Sequence, residues 1–405
     1  MAELTGQDPA KVADYVNNDI LGEAGNSDED VSFYNMVQHA DRTGKRSSPN
    51  NYIRATLADP AKYPLTLKLH TFVTKVLFDT SAALPRATGV EVMTGASLYS
   101  ADPKHTPGRT GPRSRIQARR EVIVAGGAFN TPQILKLSGV GPAAELAAFD
   151  IPLVADLPGV GERLADNYEG SVLALGAAPV ESGLITLLFR TPTAPTARRN
   201  IFSWCGAFSF EGFWPGFPTW YGAEQYTCAM VHMEPKSQRG SVRLLSADPL
   251  ARPDINFRFF EEGGDADLQE LVDAANLLRA AWQGVTGTAV EPFDELHPCP
   301  GPQRGADGRE GKGESCSDAA QKDFFKTQAY SHHATSTAAI GADGDELAVL
   351  DSKFRVRRVL GLRVVDASVF PVVPGAFPVL PTMMISAKAA EDIIADAKKA
   401  GEVVV

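Results

Sequence analysis

Near its C-terminus the chain reads Tyr330-Ser331-His332-His333-Ala334-Thr335-Ser336-Thr337, then Leu362-Arg363-Val364-Val365-Asp366-Ala367-Ser368, and then Pro381-Thr382-Met383-Met384. The first segment holds a candidate base, because the unperturbed pKa of histidine, about 6.5, lies close to neutral pH. The second is a short apolar run that ends in a carboxylate, and parallel strands commonly deliver their ends to a bound cofactor. The third predicts a helix that starts at Thr382 and presents a positive dipole end to an anionic group.

An earlier segment follows a strand-like run over residues 115–125. It reads Gly126-Gly127-Ala128-Phe129-Asn130-Thr131-Pro132-Gln133-Ile134-Leu135-Lys136-Leu137-Ser138-Gly139-Val140-Gly141 and is continued by Leu157-Pro158-Gly159-Val160-Gly161. A glycine pair after a strand lets the backbone approach a cofactor closely, although a tight turn without a ligand gives the same pattern. Thr131 is the predicted cap of the following helix and Pro132 its first residue.

These segments resemble the signatures of the glucose-methanol-choline (GMC) oxidoreductases, which are flavoenzymes that oxidise alcohols. The resemblance runs from about Thr43 to about Ala397 and implies the fold class α/β plus α+β. It implies an incomplete FAD-binding Rossmann-like domain over residues 46–166 and 331–405, without the family's N-terminal βαβ unit. Residues 1–45 and 167–330 are expected to form a sheet-based substrate domain.

The resemblance also implies the chemistry: a hydride passes from the alcohol carbon to the flavin while a histidine takes the hydroxyl proton. Aligning Ile340-Gly341 with the family's Met-Gly places His333 at the catalytic histidine, with His332 as its partner or as the base itself. The family's second His or Asn falls on Phe377, four residues before Pro381. Phenylalanine cannot accept a proton, so a flavin-fold lyase or cyclase without net redox turnover, and a non-catalytic remnant, stay open as alternatives.

Further FAD contacts are implied residue by residue. The expected contacts are Val73 at the adenine, Gly126 and Gly127 at the nucleotide, Asp366 and Ala367 at the pyrophosphate and ribityl chain, and Val379, Thr382 and Met383 at the flavin pyrimidine. Asp366 could equally serve as a helix or turn cap.

One family feature is absent from the sequence. The chain contains no Gly-x-Gly-x-x-Gly turn, the element that binds the ADP half of FAD in such proteins. It therefore resembles an N-terminally truncated member, and we expect it to bind FAD poorly.

Local patterns predict several elements. Residues 65–79, 87–92 and 115–125 are rich in β-branched and apolar residues and predict strands. Apolar residues recur at helical spacing from about residue 265 to Gly284, which predicts an amphipathic helix. Residues 300–314 are rich in Gly and charge and predict an exposed loop.

Composition limits the partners. With 405 residues the chain can form two domains, and its net charge of −10 without a basic run argues against nucleic acid. No run approaches the ~20 apolar residues of a membrane helix.

Aromatic residues concentrate between Phe202 and Tyr221, where they either line a pocket or pack under helices. A small alcohol, with an aromatic alcohol as one candidate, is the expected partner, whereas compartment and oligomeric state have no signal.

The four cysteines are Cys205, Cys228, Cys299 and Cys316. They lack the close spacing of a metal site, so no metal is predicted. Cys299 and Cys316 flank the Gly-rich loop, and a disulfide that closes this loop and a pair of unpaired thiols are equally compatible with the sequence.

Overall fold

Sixteen strands and seven α-helices are seen in residues 8–17, 32–35, 38–179, 184–210, 212, 216, 218–283, 293–303 and 317–400, the parts of the chain that this computed structural model describes. The strands are β1 (Ser32–Asn35), β2 (Thr71–Asp79), β3 (Arg86–Thr94), β4 (Arg113–Gln117), β5 (Val122–Val124), β6 (Val140–Gly141), β7 (Ala155–Asp156), β8 (Tyr168–Leu175), β9 (Ile185–Phe189), β10 (Ile201–Gly206), β11 (Gln225–His232), β12 (Ser241–Arg243), β13 (Asp254–Asn256), β14 (Phe293–His297), β15 (Gly301–Gln303) and β16 (Leu362–Val364). The helices are α1 (Val12–Asn17), α2 (Pro49–Leu57), α3 (Gly127–Leu137), α4 (Ala143–Ala148), α5 (Gly264–Gln283), α6 (Asp318–Gln328) and α7 (Val379–Lys399).

The largest sheet is antiparallel and has the order β1-β9-β10-β11-β8-β14-β15. Helix α5 packs against its strands β8 and β11, and α6 packs on α5. The buried cluster between them includes Val172, Ile201, Met230, Leu271 and Leu278. This sheet with helices on one face is the α+β part of the predicted fold class.

The second body contains a parallel pair, β5 and β16, and the antiparallel sheet β2-β3-β4. Its own buried cluster includes Val124, Leu135, Val349, Val364 and Ala389, the last of these from α7. Strand β16 ends two residues before Asp366, close to where the sequence predicts the strand to end. These elements give the α/β part, so the predicted fold class is confirmed.

Some predicted boundaries are wrong. The run over 115–125 is interrupted, because β4 ends at Gln117 and β5 covers only Val122–Val124. The run over 65–79 becomes a strand only from Thr71. The amphipathic helix is confirmed as α5, and part of the predicted loop forms β15 while residues 304–316 lie outside the described residues.

Helix α3 begins at Gly127, so Thr131 is not its cap. The Thr131 hydroxyl instead accepts a hydrogen bond from the Gly126 amide at 3.0 Å and donates one to Asp366 Oδ2 at 2.6 Å. From a position inside the helix, Thr131 thus links the start of α3 to Asp366, which follows β16.

Pro132 consequently lies inside α3. A proline has no N–H, so the carbonyl of Ala128, four residues earlier, loses its helical partner. The hydroxyl of Thr337 donates to this oxygen at 2.6 Å. A side chain from the histidine-bearing segment thus compensates for the proline.

Helix α7 begins at Val379, three residues before the predicted start at Thr382. Pro381 is tolerated because the first amides of a helix have no intrahelical acceptor. The Thr382 amide and hydroxyl both donate to the carbonyl of Pro378, at 2.8 and 2.6 Å.

A disulfide that the sequence did not indicate joins Cys205 and Cys228. The two cysteines face each other on the neighbouring strands β10 and β11. Cys299 is also disulfide-bonded, whereas its predicted partner Cys316 lies outside the described residues.

Candidate functional site

Two short bridges fix the histidine segment against the start of β8. Tyr330 pairs with Glu169 and Thr335 pairs with Ala165, both in antiparallel fashion. Between the bridges the histidine segment has one residue more than the segment opposite. Neighbouring residues of a regular strand point to opposite sides, and this extra residue breaks the alternation. Both histidine rings therefore reach the side chain of Glu169.

The distances within this group are short. Glu169 Oε1 lies 2.9 Å from His332 Nδ1 and 3.2 Å from His333 Nδ1. The two rings are tilted against each other with their centroids 4.1 Å apart. Glu169 and His333 are buried, whereas the side chain of His332 is 41% exposed. One fully buried carboxylate is thus shared by two imidazoles.

Asp166 holds the main chain of the same segment. Its Oδ1 accepts hydrogen bonds from the amides of His333 and Asn167, each at 2.8 Å, and from the hydroxyl of Ser331. Its Oδ2 is buried and has no hydrogen-bond partner among the described residues. Burial raises the pKa of Asp166 to about 7.

The two histidines differ in electrostatic environment. Burial, and then the neighbouring His332, lower the pKa of His333 to about 3. The hydrogen bond to Glu169 raises the pKa of His332 above its usual value, and burial raises the pKa of Glu169. At neutral pH His333 is therefore the neutral imidazole, which is the form that accepts a proton.

Asn167 positions the loop that precedes α7. Its side-chain amide donates to the carbonyl oxygens of Gly375 and Ala376 at 2.9 and 2.7 Å. This loop places the ring of Phe377 edge-on against His333, with centroids 5.0 Å apart and planes at 87°. The structure therefore brings together the three predicted catalytic positions, His332, His333 and Phe377.

Phe377 also belongs to an aromatic group with two residues of β10. Its ring centroid lies 4.9 Å from that of Phe202 and 5.9 Å from that of Trp204. A cavity of about 430 Å³ lies beside this loop, a size suited to a small molecule. Its lining includes Leu188, Arg198, Arg199, Met233, Glu234, Gln238, Val372, Val373 and Gly375.

Gly127 is the predicted cofactor residue with the clearest geometry. Its φ is +79°, and a side chain placed there would meet nothing within 4 Å. The first residue of α3 thus borders open space, into which a bound group could approach the backbone. Gly126, in contrast, is packed against Thr131, whose amide lies 3.0 Å from where a Cβ would be. This open space beside Gly127, the Gly127 cradle, leaves room for the cofactor contact that the sequence predicts.

Asp366 has the capping role that the sequence left open. Its carboxylate accepts hydrogen bonds from the amides of Gly127 and Ser368 at 3.0 and 2.7 Å and from the hydroxyl of Thr131. Ala367 begins the 3-10 turn that Asp366 caps, and its carbonyl accepts a hydrogen bond from the Ser336 amide at 3.3 Å.

The remaining predicted cofactor residues lie on two elements. Val73 is on β2, one of the two outer strands of its sheet among the described residues. Val379, Thr382 and Met383 form the first turns of α7, and Val379 is 49% exposed. The loop before α7 connects the three α7 residues to Phe377, whose ring contacts His333.

Two groups of side chains in the described residues have the composition of metal ligands: Glu169 with His332 and His333, and His232 with Asp267 and Glu270. In the second group Lys236 Nζ already lies 3.0 Å from both carboxylates, so an ammonium supplies the positive charge.

Sequence reasoning missed Asp166, Asn167 and Glu169. Their only signal is a polar run, Asp166-Asn167-Tyr168-Glu169, placed immediately before the apolar part of β8. Polar residues at the start of a buried strand indicate a site only when the segment that pairs with that strand is known. Here this segment is the one that carries the two histidines.

None of the helices in the described ranges is long and apolar enough to cross a bilayer.

Comparison with known protein families gives two matches, both to the GMC oxidoreductases. The model of the family's N-terminal part matches residues 17–169, and the model of its C-terminal part matches residues 235–386.

Two curated relatives illustrate the similarity. Choline oxidase from Arthrobacter globiformis is 30% identical over 384 residues, which cover 92% of this chain and 62% of that protein. Oxygen-dependent choline dehydrogenase 1 from Chromohalobacter salexigens is 31% identical over 313 residues, 70% of this chain and 52% of that protein. The chain therefore spans between half and two thirds of the length of these relatives.

A solved structure shows the same fold. Formate oxidase from Aspergillus oryzae superposes with a TM-score of 0.74 at 20% identity, covering 96% of this chain and 70% of that chain.

Proposed function

Because the chain belongs to the GMC oxidoreductase family, we propose that it supplies the base and the substrate site of an FAD-dependent alcohol oxidoreductase. The observation that carries this proposal is His333: a buried, neutral imidazole in the segment that is bridged to the start of β8, beside the aromatic ring of Phe377. The relatives reported above are an oxidase and a dehydrogenase by name, and nothing favours the lyase or cyclase alternative.

His333 accepts the hydroxyl proton of the alcohol. FAD, when bound, supplies the acceptor for the hydride that leaves the alcohol carbon, so the substrate loses one hydride and one proton. The neutral state of His333 makes it competent for this transfer at neutral pH, and Asp166 fixes its main chain. Phe377 offers no second base, so the proton has His333 as its single acceptor at this position.

The cofactor is proposed to lie along Gly127 and the start of α7, with Val73, Gly126, Ala367, Val379, Thr382 and Met383 as its other contacts. We assign residues 46–166 and 331–405 to the cofactor domain, and residues 1–45 and 167–330 to the substrate domain. The site then lies at the boundary between the two, because Asp166 and Asn167 stand on either side of it.

The substrate is proposed to be a small alcohol with an apolar, aromatic or quaternary ammonium group. Phe202, Trp204 and Phe377 provide aromatic edges and faces for an aryl group. The same faces attract a quaternary ammonium, which is the group present in choline, the compound named in two of the relatives.

The test is anaerobic flavin reduction. The chain is first titrated with FAD, and at saturation choline, benzyl alcohol and a simple aliphatic alcohol are added while the oxidised flavin absorbance is followed. We expect one alcohol class to bleach the flavin, with a rate at least about 100-fold lower in His333→Gln, the range for loss of a general base. The matched control is His39→Gln, at an exposed histidine outside the site.

Each failure has its own meaning. Absence of FAD binding at any concentration would favour the non-catalytic remnant. Saturable FAD binding without bleaching by any alcohol would contradict the oxidoreductase proposal.

A further inference from the structure

Glu169 is a buried carboxylate without a matching cationic side chain. It is fully buried, and neither of its oxygens has a hydrogen-bond partner in the described part of the chain. Its charged neighbours there are the Nδ1 atoms of His332 and His333, and no lysine or arginine of the described residues is paired with it. A carboxylate in a protein interior is costly unless it is compensated, so this position favours a bound positive charge.

The second group with the composition of metal ligands differs in this respect. His232, Asp267 and Glu270 are also buried, but Lys236 Nζ lies 3.0 Å from an oxygen of each carboxylate. The side chain of Asn200 also donates a hydrogen bond to Glu270 at 2.6 Å. Protein groups therefore already take the place of a cation in the second group, whereas around Glu169 the described residues supply none.

Three potential ligand atoms converge at Glu169. A carboxylate oxygen and the two Nδ1 atoms all lie within 4.8 Å of one another, and Glu169 Oε1 is 2.9 Å from His332 Nδ1 and 3.2 Å from His333 Nδ1. A tetrahedral ion with ligands at roughly 2.0–2.2 Å holds those ligands about 3.3 Å apart, so small side-chain shifts admit an ion. The side chain of His332 is 41% exposed, and solvent can supply a further ligand from that side.

The contact between His333 and Asn167 is compatible with an ion. The side-chain nitrogen of Asn167 lies 3.3 Å from His333 Nδ1. When this nitrogen donates, Nδ1 is the acceptor, which is the unprotonated form that a metal requires. An ion takes over that lone pair, while Asn167 keeps the carbonyl oxygens of Gly375 and Ala376 as acceptors at 2.9 and 2.7 Å.

We propose that Glu169, His332 and His333 bind Zn²⁺ or a similar divalent transition-metal ion, and that this ion inhibits the oxidation. Two imidazoles and a carboxylate suit Zn²⁺, whereas Mg²⁺ and Ca²⁺ prefer oxygen ligands. The inhibition rests on the proposed function: an ion on Nδ1 places positive charge at the His333 ring, which then resists taking the alcohol proton. The cysteine spacing that argues against a metal does not bear on this site, because none of its ligands is a cysteine.

Zinc binding to the full chain tests the site without FAD or alcohol. After treatment with EDTA and its removal, isothermal titration calorimetry should find one Zn²⁺ per chain with a dissociation constant of about 1 µM or tighter. His332→Gln removes the ligand at the exposed side, and Glu169→Gln replaces the carboxylate by an amide of the same shape. Each should weaken binding by at least about 100-fold, more than the roughly 10- to 100-fold cost of changing a group outside the ligand set.

The matched control is Glu270→Gln, which makes the same change in the group that contains Lys236. It should leave the zinc stoichiometry and affinity unchanged. The site is overturned by absence of saturable binding in the unmodified chain, by unchanged affinity in His332→Gln, or by an equal loss in Glu270→Gln. If either carboxylate variant fails to fold, judged by circular dichroism, His332→Gln decides, with the exposed His39→Gln as its control.

The effect on the base is measured separately. In the FAD-saturated chain, Zn²⁺ at the concentrations that fill the site should slow flavin bleaching by the alcohol at least about 100-fold, the range for loss of a general base, and EDTA should restore the rate. In His332→Gln the relative loss of rate should need correspondingly more zinc. A filled site with an unchanged bleaching rate overturns the inhibition. If no alcohol bleaches the flavin, the proposed function fails, while the calorimetry still decides the metal site.

Discussion

The hydroxyl of Thr337 replaces the hydrogen bond that Pro132 removes from helix α3. Both groups are buried, and a buried carbonyl left without a donor costs about 1–3 kcal/mol. We therefore expect Thr337→Val to lower the free energy of unfolding by about that amount, measured by urea denaturation.

The matched variant is Pro132→Ala, which restores an amide four residues after Ala128. In the Pro132→Ala background, Thr337→Val should cost less than in the unmodified chain, because the new N–H takes over the carbonyl. Equal costs in both backgrounds would show that the two residues do not share this acceptor.

The same residues show what a sequence can and cannot predict. The positions of His332, His333 and Phe377 follow from motif spacing, and the structure places these side chains together. Glu169 could not be predicted, because its contact with both rings depends on the one-residue difference between two bridges in different parts of the chain. Burial converts this ordinary glutamate into a group that must find positive or polar partners.

At the scale of elements, the predicted first residues of helices α3 and α7 differ from the observed ones. Thr131 and Pro132 match a cap and first helical residue, yet α3 begins at Gly127 because Asp366, distant in sequence, accepts the hydrogen bond of its first amide. The strongly periodic helix α5 was predictable because its own pattern of apolar residues fixes it. Tertiary hydrogen bonds thus move element boundaries more readily than they change element types.

His297 links strand β14 to helix α6. Its ring stacks on Phe324 with centroids 5.4 Å apart, and its Nε2 lies 3.1 Å from the Ser171 hydroxyl. Burial lowers the pKa of His297 to about 4. The unfolded chain, with a pKa near 6.5, therefore binds a proton more readily than the folded chain between these values.

This difference predicts a pH dependence of stability. Protonation opposes folding as the pH falls from about 6.5 to about 4, so the contribution of neutral His297 is present above 6.5 and is lost on acidification. When the pH is lowered from 7 to 4.5, the free energy of unfolding of both proteins should fall. The fall should be about 1–3 kcal/mol smaller for His297→Gln than for the unmodified chain. Urea denaturation at both pH values measures this difference, and parallel losses in the two proteins would contradict it.

At the scale of the whole molecule, the second body, which contains β5, β16 and α7, leaves apolar surface uncovered. Ile123, in the middle of strand β5, is 45% exposed, and Leu380 and Met384 of α7 are 39% and 64% exposed. Strands of parallel sheets are normally covered on both faces, and β5 has a single hydrogen-bonded neighbour among the described strands. The Gly127 cradle therefore lies on a body whose strand and helix surfaces are only partly covered by the described residues.

We accordingly expect the chain to purify colourless and to bind FAD with a dissociation constant weaker than about 1 µM, measured by flavin fluorescence titration. Gly127→Ala should weaken this binding further, because its methyl group enters the open space beside α3. Gly44→Ala is the matched control: Gly44 has φ +77° and equally open space, so it reproduces the backbone strain away from the cradle. A stoichiometric yellow flavin spectrum after purification, or equal FAD affinities for the two alanine variants, would contradict this account.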